Sequence, residues 1–291
     1  MAISDPVIDA QTPAADFTIR QMWDRYTDEE HKVWDTLYAR QIDILKDRAV
    51  EEFHTGLGLL DLGSGGIPDL DVINPKLKDL TGWEVVMVPH LVPDDVFFDH
   101  LANRRFPSGR FIRKPDQLDY LEEPDIFHDI FGHVPMLTLP TFADYMQAYG
   151  QGGQRADSLG RLKELARLYW YTVEFGLIRK PEGLRIYGAG IVSSAGETPF
   201  SLESDSPNRI AFDLERVMRT DYRIDDFQQL YFVIDSFEQL LSATQQDFGP
   251  LYERLAADAT TFGLTDLTDA DTVIAHGTQE YARMRAADAA E

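Results

Sequence analysis

Two histidines five positions apart carry the chemistry this chain is best equipped to do. They lie in Pro124-Asp125-Ile126-Phe127-His128-Asp129-Ile130-Phe131-Gly132-His133-Val134-Pro135. On an unbroken α-helix five residues turn through about 500°, leaving the two rings about 140° apart and unable to share a ligand. Gly132 and Pro135 break that geometry. Pro124 suits a first helical position, and Gly132 suits the residue just past a helix end. The spacing therefore predicts His128 in a last turn and His133 on a segment folding back over it. Imidazole is the commonest metal ligand, so the next question is which third donor completes the site. Glu174 is the candidate, the only ionisable carboxylate within Leu168-Tyr169-Trp170-Tyr171-Thr172-Val173-Glu174-Phe175-Gly176-Leu177. Burying an unpaired carboxylate is costly, and a divalent metal offsets that cost. Two histidines and one carboxylate on one face of an octahedron leave open positions, as in non-haem Fe(II) oxygenases. These donors also admit zinc and a hydrolase, and Glu174 could instead pair with a buried arginine. His31, His54, His90, His100 and His276 read as ordinary core or surface histidines.

The elements that must hold such a site follow from patterning. Thr27-Asp28-Glu29-Glu30 reads as a capping box, and His31, Trp34, Leu37, Tyr38, Ile42 and Leu45 continue at helical spacing. A short helix is expected over 49–54 and a loop with brief helical turns over 55–82. A strand over 83–88 and helices over 94–105 and 141–149 follow, the last stopped by Gly150 and Gly152-Gly153. The longest helical pattern covers 158–179, ended by Pro181-Glu182-Gly183. Residues 184–194 alternate like a strand. Helices are expected over 211–219 and 236–246, with a strand over 230–234. The class is mainly α with short β elements (α+β), and no strand–helix alternation supports a parallel sheet. Residues 1–16 read as a flexible N-terminal tail, 17–262 as one catalytic domain, and 263–291 as a weakly packed C-terminal tail.

Composition narrows the function classes. The chain has 291 residues, with 27 Lys+Arg against 50 Asp+Glu, a formal net charge of −23. Such a field repels phosphate backbones and anionic membranes, so neither nucleic acid nor a membrane surface is an expected partner. The absence of cysteine excludes disulfides, thiolate nucleophiles and Cys-ligated zinc or iron–sulfur sites. The N-terminal residues lack a basic and then apolar leader pattern, and no apolar run approaches the ~20 residues of a membrane helix. A cytoplasmic location is the expectation.

A rival signal is Leu59-Leu60-Asp61-Leu62-Gly63-Ser64-Gly65-Gly66, similar to the first motif of S-adenosylmethionine-dependent methyltransferases. Such a turn works by opening a helix whose N-terminus faces the ligand. Here Ile67-Pro68 follows and Asn74-Pro75 comes soon after, so a surface turn is preferred. Gly188-Ala189-Gly190 is weaker as a dinucleotide motif, since Ser193 stands where a third glycine would fall.

The histidine run and 166–177, with 106–113, Glu123-Pro124-Asp125, 186–194 and 231–237, resemble the aromatic amino acid hydroxylases, their bacterial phenylalanine-hydroxylating branch in particular. The similarity runs from about residue 20 to residue 250. It implies a single catalytic domain of that type, with His128, His133 and Glu174 as facial ligands of a mononuclear Fe(II). It implies a tetrahydropterin (tetrahydrobiopterin or a bacterial tetrahydropterin) and O2 as partners in oxidising L-phenylalanine to L-tyrosine; tryptophan or tyrosine remains open as substrate. Arg113, paired with Asp125, would clamp the substrate carboxylate, with Ser193 at the same end. Pro124 and Trp170 would wall the ring pocket, with Phe175 behind the iron. The pterin would stack on Phe97 and bond the backbone around His90, Leu91 and Val92, while Asp129, Ala166 and Tyr169 line its other side. Glu197 and Tyr222 would support the pocket mouth. Animal members carry glutamate at Asp129 and threonine at Leu121. The resemblance also implies no N-terminal regulatory domain, and the C-terminal segment has no heptad repeat for tetramerisation. A monomer is expected, without allosteric activation by substrate.

Overall fold

The computed structural model describes residues 5–63, 65–119 and 123–288. Helices dominate: α1 Pro6–Asp9, α2 Asp28–Leu45, α3 Glu51–Leu59, α4 Leu70–Thr81, α5 Asp94–Ala102, α6 Pro140–Ser158, α7 Leu162–Tyr169, α8 Ala189–Val192, α9 Glu197–Glu203, α10 Leu214–Met218, α11 Phe237–Gln245, α12 Gly249–Ala257 and α13 Glu280–Asp288. Two wide helical segments interrupt this series, π1 at Phe127–His133 and π2 at Trp170–Glu174. The strands are β1 Glu84–Val88, β2 Arg105–Gly109, β3 Leu177–Lys180, β4 Gly183–Ile186, β5 Asn208–Ala211, β6 Leu230–Ile234 and β7 Val273–Ala275.

Several elements form as their residues dictate. The Thr27 hydroxyl accepts from the Glu30 amide while the Glu30 carboxylate accepts from the Thr27 amide, the expected capping box that starts α2. The glycine-rich run after α3 is a turn whose Gly65 and Gly66 amides donate to the Asp35 carboxylate; Ser64 lies outside the described residues. The loop expected over 55–82 instead contains α4, which Asp69 caps by accepting from the Asp71 amide. Pro75 sits inside it, where the lost amide leaves only the exposed carbonyl of Asp71 without its helical partner. Asn74 beside it bonds both the amide and the carbonyl of Val85, tying α4 to β1.

Glycines expected to stop a helix instead bring helices together. α6 runs through Gly150, Gly152 and Gly153 to Ser158. A Cβ on Gly150 would lie 2.4 Å from the Ala102 amide nitrogen, and one on Gly153 would lie 1.9 Å from the Phe98 ring. Only glycine permits this approach of α6 to α5. The long pattern over 158–179 divides into α7, π2 and β3, and Pro181-Glu182 forms the two-residue turn of a β3–β4 hairpin, with Gly183 opening β4, rather than a helix stop.

The sheets also depart from expectation. β1 pairs with β2 in parallel, and a five-stranded sheet in the order β4-β3-β6-β5-β7 contains parallel β3–β6 and β5–β6 pairs. β1, α5 and β2 form a strand–helix–strand unit whose second strand lacks a strand pattern in sequence, while β3, β5 and β6 are short and far apart along the chain. Both segments expected to lie loose make specific contacts. Asp5 pairs with the buried Arg110, and Ile8 is buried. β7 adds an edge strand on β5, and Arg216 pairs with the buried Asp271. No described helix is long and apolar enough to cross a membrane.

Candidate active site

π1 stands on an aromatic base. Phe127 and Phe131 stack at 4.7 Å, Trp34 meets Phe127 edge-on at 5.2 Å, and Phe53 meets Phe131 at 5.5 Å. This anchors one side of π1 to α2 and α3. Its widened turn, with i→i+5 hydrogen bonding, brings residues five apart onto one side. His128 and His133 therefore share a face without the helix break that the spacing alone suggested. Gly132 is not a terminus. A Cβ there would sit 3.0 Å from the Ala189 carbonyl oxygen, so it admits α8.

π2 delivers the third donor. The Phe175 amide donates to the Trp170 carbonyl at 2.9 Å, an i→i+5 pattern that leaves Glu174 at the segment's end. α8 packs against both wide segments through small residues. Ala189 faces Gly132, and a Cβ on Gly190 would lie 3.2 Å from Glu174 Oε2. The Gly188-Ala189-Gly190 run is thus a wedge between the two segments, not a nucleotide motif.

The three donors converge. His133 Nε2 lies 3.2 Å from His128 Nε2 and 3.2 Å from Glu174 Oε1, and His128 Nε2 lies 3.6 Å from Glu174 Oε2. Among the described residues this is the one His/Asp/Glu trio whose donor atoms all lie within 4.8 Å of one another. The protonation states suit a cation. Burial pushes the His128 imidazolium down to about 4, so its ring is neutral near pH 7. Burial alone would raise the Glu174 carboxyl, but His133 and His128 together hold it below its ordinary value, so it is ionised. Ser193 Oγ donates to the Ala189 carbonyl at 2.8 Å and lies 2.9 Å from His128 Nδ1. With its proton so committed, Ser193 accepts from Nδ1–H and turns the Nε2 lone pair toward the trio. The donor set therefore fits a divalent metal.

Beside the trio opens a cavity of about 250 Å³. His90, Leu91, Val92, Phe97, Pro124, Asp129 and Tyr169 line it, together with His128, His133 and Glu174. Ala166 does not; it borders a separate depression with Lys163 and Tyr222. Arg113, Asp125, Trp170 and Ser193 also lie outside that lining. Trp170 stacks on Tyr222 at 4.5 Å and leans on Phe175 at 4.8 Å, with its indole N–H donating to Gln228 Oε1 at 3.0 Å. Burial raises the Asp129 carboxyl to about 7, and the Gly109 amide donates to its Oδ2 at 2.8 Å.

Arg113 and Asp125 form a buried, two-pronged pair, with Nε to Oδ2 and Nη2 to Oδ1 both at 2.9 Å. Asp125 also accepts from the amides of Arg113 and His128, so one carboxylate ties the guanidinium to π1. Nη1 donates to the Leu118 carbonyl at 3.4 Å, and Nη1 and Nη2 each keep one further N–H beyond these bonds. Leu121 lies outside the described residues. Glu197 accepts from Tyr231 Oη at 2.5 Å and from the Gln228 amide at 3.0 Å, and burial raises its carboxyl to about 7.

Residues 18–255 match the family described as biopterin-dependent aromatic amino acid hydroxylase. The chain belongs to that family. It is 67% identical over 92% of its length to 90% of a phenylalanine-4-hydroxylase from Caulobacter vibrioides. Identity is 57%, over 92% of the chain and 90% of the relative, to the phenylalanine-4-hydroxylase of Chromobacterium violaceum. An iron- and phenylalanine-bound crystal structure of the C. violaceum enzyme matches with a TM-score of 0.87 at 55% identity, covering 91% of this chain and 97% of that one.

Sequence reasoning missed Phe106, Phe111 and Glu123 of the cavity lining. Phe106 sits with its ring 4.8 Å from that of His133. No periodicity marked it: β2 reads Arg105-Phe106-Pro107-Ser108-Gly109, without apolar–polar alternation, and its first residue fell inside the helix expected over 94–105.

Proposed function

We propose that the chain is a pterin-dependent monooxygenase that converts L-phenylalanine to L-tyrosine. His128, His133 and Glu174 would hold one Fe(II), and a tetrahydropterin and O2 are the co-substrates. One oxygen atom goes to the para carbon of the ring and the other to the pterin. The observation that carries this reading is the convergence of two imidazoles and one carboxylate beside an aromatic-lined cavity, in a chain of this family. Bound iron supplies the redox chemistry that couples O2 and reduced pterin to ring oxidation.

The remaining work is positioning and exclusion of water. The outward edge of Arg113, its other edge held by Asp125, suits a substrate carboxylate. Because Asp125 also accepts from the His128 amide, the substrate clamp and one ligand share a mount. Pro124 stands at the cavity, while Trp170 backs Phe175 and so supports the ring pocket indirectly. Phe97 and the backbone of 90–92 offer a face and a polar edge to the pterin, with Asp129 also in the lining and Tyr169 edge-on to Phe97 at 5.9 Å. Ser193 acts on His128 rather than on substrate in this arrangement. The chain is read as a cytoplasmic monomer that binds neither nucleic acid nor membranes; its charge of −23 disfavours phosphate backbones and anionic membranes as partners.

Anaerobic Fe(II) loading followed by an assay with phenylalanine, tryptophan and tyrosine tests the reading. Tyrosine formed from phenylalanine, dependent on reduced pterin, is the expected result. Preference for another ring would reassign the substrate, and pterin-independent activity with zinc would replace the reaction class.

A further inference from the structure

The pterin side of the cavity is built on β1 and β2, a two-stranded sheet. Such a pair is marginal by itself. Residues 5–21 run across it and bind it at three places. The Ile19 amide donates to the Met87 carbonyl of β1 at 2.9 Å. Asp16 accepts from Arg105 Nη1 of β2 at 2.8 Å, and its carbonyl faces His100 Nε2 of α5 at 2.9 Å. The third attachment is the deepest. Arg110 is 1% exposed, donates from Nε to the Gln21 carbonyl at 2.8 Å, lies over the Tyr26 ring at 4.1 Å, and pairs through Nη1 with Asp5. Asp5 uses its other oxygen to cap α1, accepting from the Val7 amide at 2.8 Å.

Arg110 sits between two cavity residues. Gly109 before it lines the cavity and donates its amide to Asp129, and Phe111 after it lines the cavity and accepts the Ile126 amide that leads into π1. Its guanidinium points away from the cavity, into the arm. Among the described residues Asp5 is the one carboxylate in an ion pair with it. Without that partner a buried cation is left unpaired, which a folded chain relieves by moving the cation toward water.

We propose that Asp5 is a positioning residue for the pterin pocket: by pairing with Arg110 it fixes the end of β2, and with it the Gly109–Asp129 contact and the Phe111 wall. This rests on the pterin placement given above. The arm is then part of the cofactor site, although none of its residues touches the cavity.

The test uses the full-length Fe(II)-loaded enzyme and three variants: Asp5→Ala, Asp5→Glu and Arg105→Gln. Misplacement of a binding group by about 1 Å can cost ~100-fold, so Asp5→Ala is expected to raise the KM for tetrahydrobiopterin at least about fivefold. The KM for phenylalanine and the bound iron should stay within about twofold of wild type on the same reasoning, since Asp125 clamps Arg113 to π1 and Trp34 and Phe53 hold π1 from its other side. Asp5→Glu keeps the charge and should restore most of the pterin affinity. Arg105→Gln breaks the half-buried pair with Asp16 but leaves Arg110 and Asp5 joined, and should leave the pterin KM near wild type. Hydrogen exchange of the Gly109 amide should quicken in Asp5→Ala, a readout that holds even if turnover is weak. An unchanged pterin KM, equal losses for both substrates, or unchanged exchange at Gly109 would overturn the proposal. If the enzyme showed no pterin dependence at all, the functional reading itself would fail instead.

Discussion

Glu174 and Glu197 are both buried glutamates, 23 residues apart, and their surroundings make opposite use of them. Glu174 faces two imidazoles within 3.6 Å and is held ionised. Glu197 faces a phenol and a backbone amide, both neutral donors, and is pushed up to about 7 by burial, with Asp226 adding to the rise. Burial is therefore not what marks a ligand. The mark is convergence with other donors, and that is a property of the fold. The first carboxylate is kept charged for a cation, at a cost to the empty fold. The second is kept protonated near neutrality and braces Gln228, whose side chain holds Trp170.

The largest effect that can break this contrast is at Glu174. Outer partners of a metal are worth about 10- to 100-fold in affinity, so Glu174→Gln should lower iron affinity by at least ~100-fold and suppress tyrosine formation. Its iron-free form should melt no lower than wild type. Iron binding as tight as in wild type would remove Glu174 from the site.

Glu197→Gln should do the reverse. The folded pKa of about 7 stands above the ordinary carboxyl value of 4.5. A raised carboxyl favours folding at pH values below 4.5 and loses that advantage as pH climbs through 7, because the unfolded chain then ionises first. The variant should therefore gain stability over wild type as pH rises from 5 to 8, by up to about 3 kcal/mol. Denaturant melts at both pH values check this, and a pH-independent difference would mean that Glu197 does not carry the proton.

Ser193→Ala sharpens the account of the trio. It frees the His128 tautomer and should weaken iron binding by about 10- to 100-fold with only a small change in melting temperature. An iron titration showing no change would leave Ser193 with a role elsewhere, such as the substrate end. Gly132→Ala is the mildest. Its Cβ would meet the Ala189 carbonyl at 3.0 Å, so it should cost about 1 kcal/mol of stability and loosen iron less than Ser193→Ala does. A loss of iron with no change in stability would show that π1 itself had shifted.

Much of the site was legible because its chemistry is local. The capping box at Thr27, the histidine spacing and a carboxylate stranded among aromatics can all be read along the chain. The shapes that make them work could not. Both ligand-bearing segments are wide helices, stabilised by what packs on them: Trp34 and Phe53 under π1, and α8 wedged against both. Glycine was misread for the same reason. Gly132, Gly150 and Gly153 resemble helix stops in sequence, yet each is small because another backbone or ring must come close. Ala166 was placed at the pterin through resemblance, but it borders the depression with Lys163 and Tyr222. Residues 5–16 looked unstructured because their polarity hid the buried arginine that they partner.

The most direct measurement is tyrosine formed per chain as Fe(II) is added anaerobically to metal-free enzyme, then exposed to O2 with phenylalanine and reduced pterin. Product should rise linearly and level off at one iron per chain, and stay at background with zinc or in Glu174→Gln. Full product from the metal-free chain, or from the Glu174 variant, would contradict a single ferrous site held by His128, His133 and Glu174.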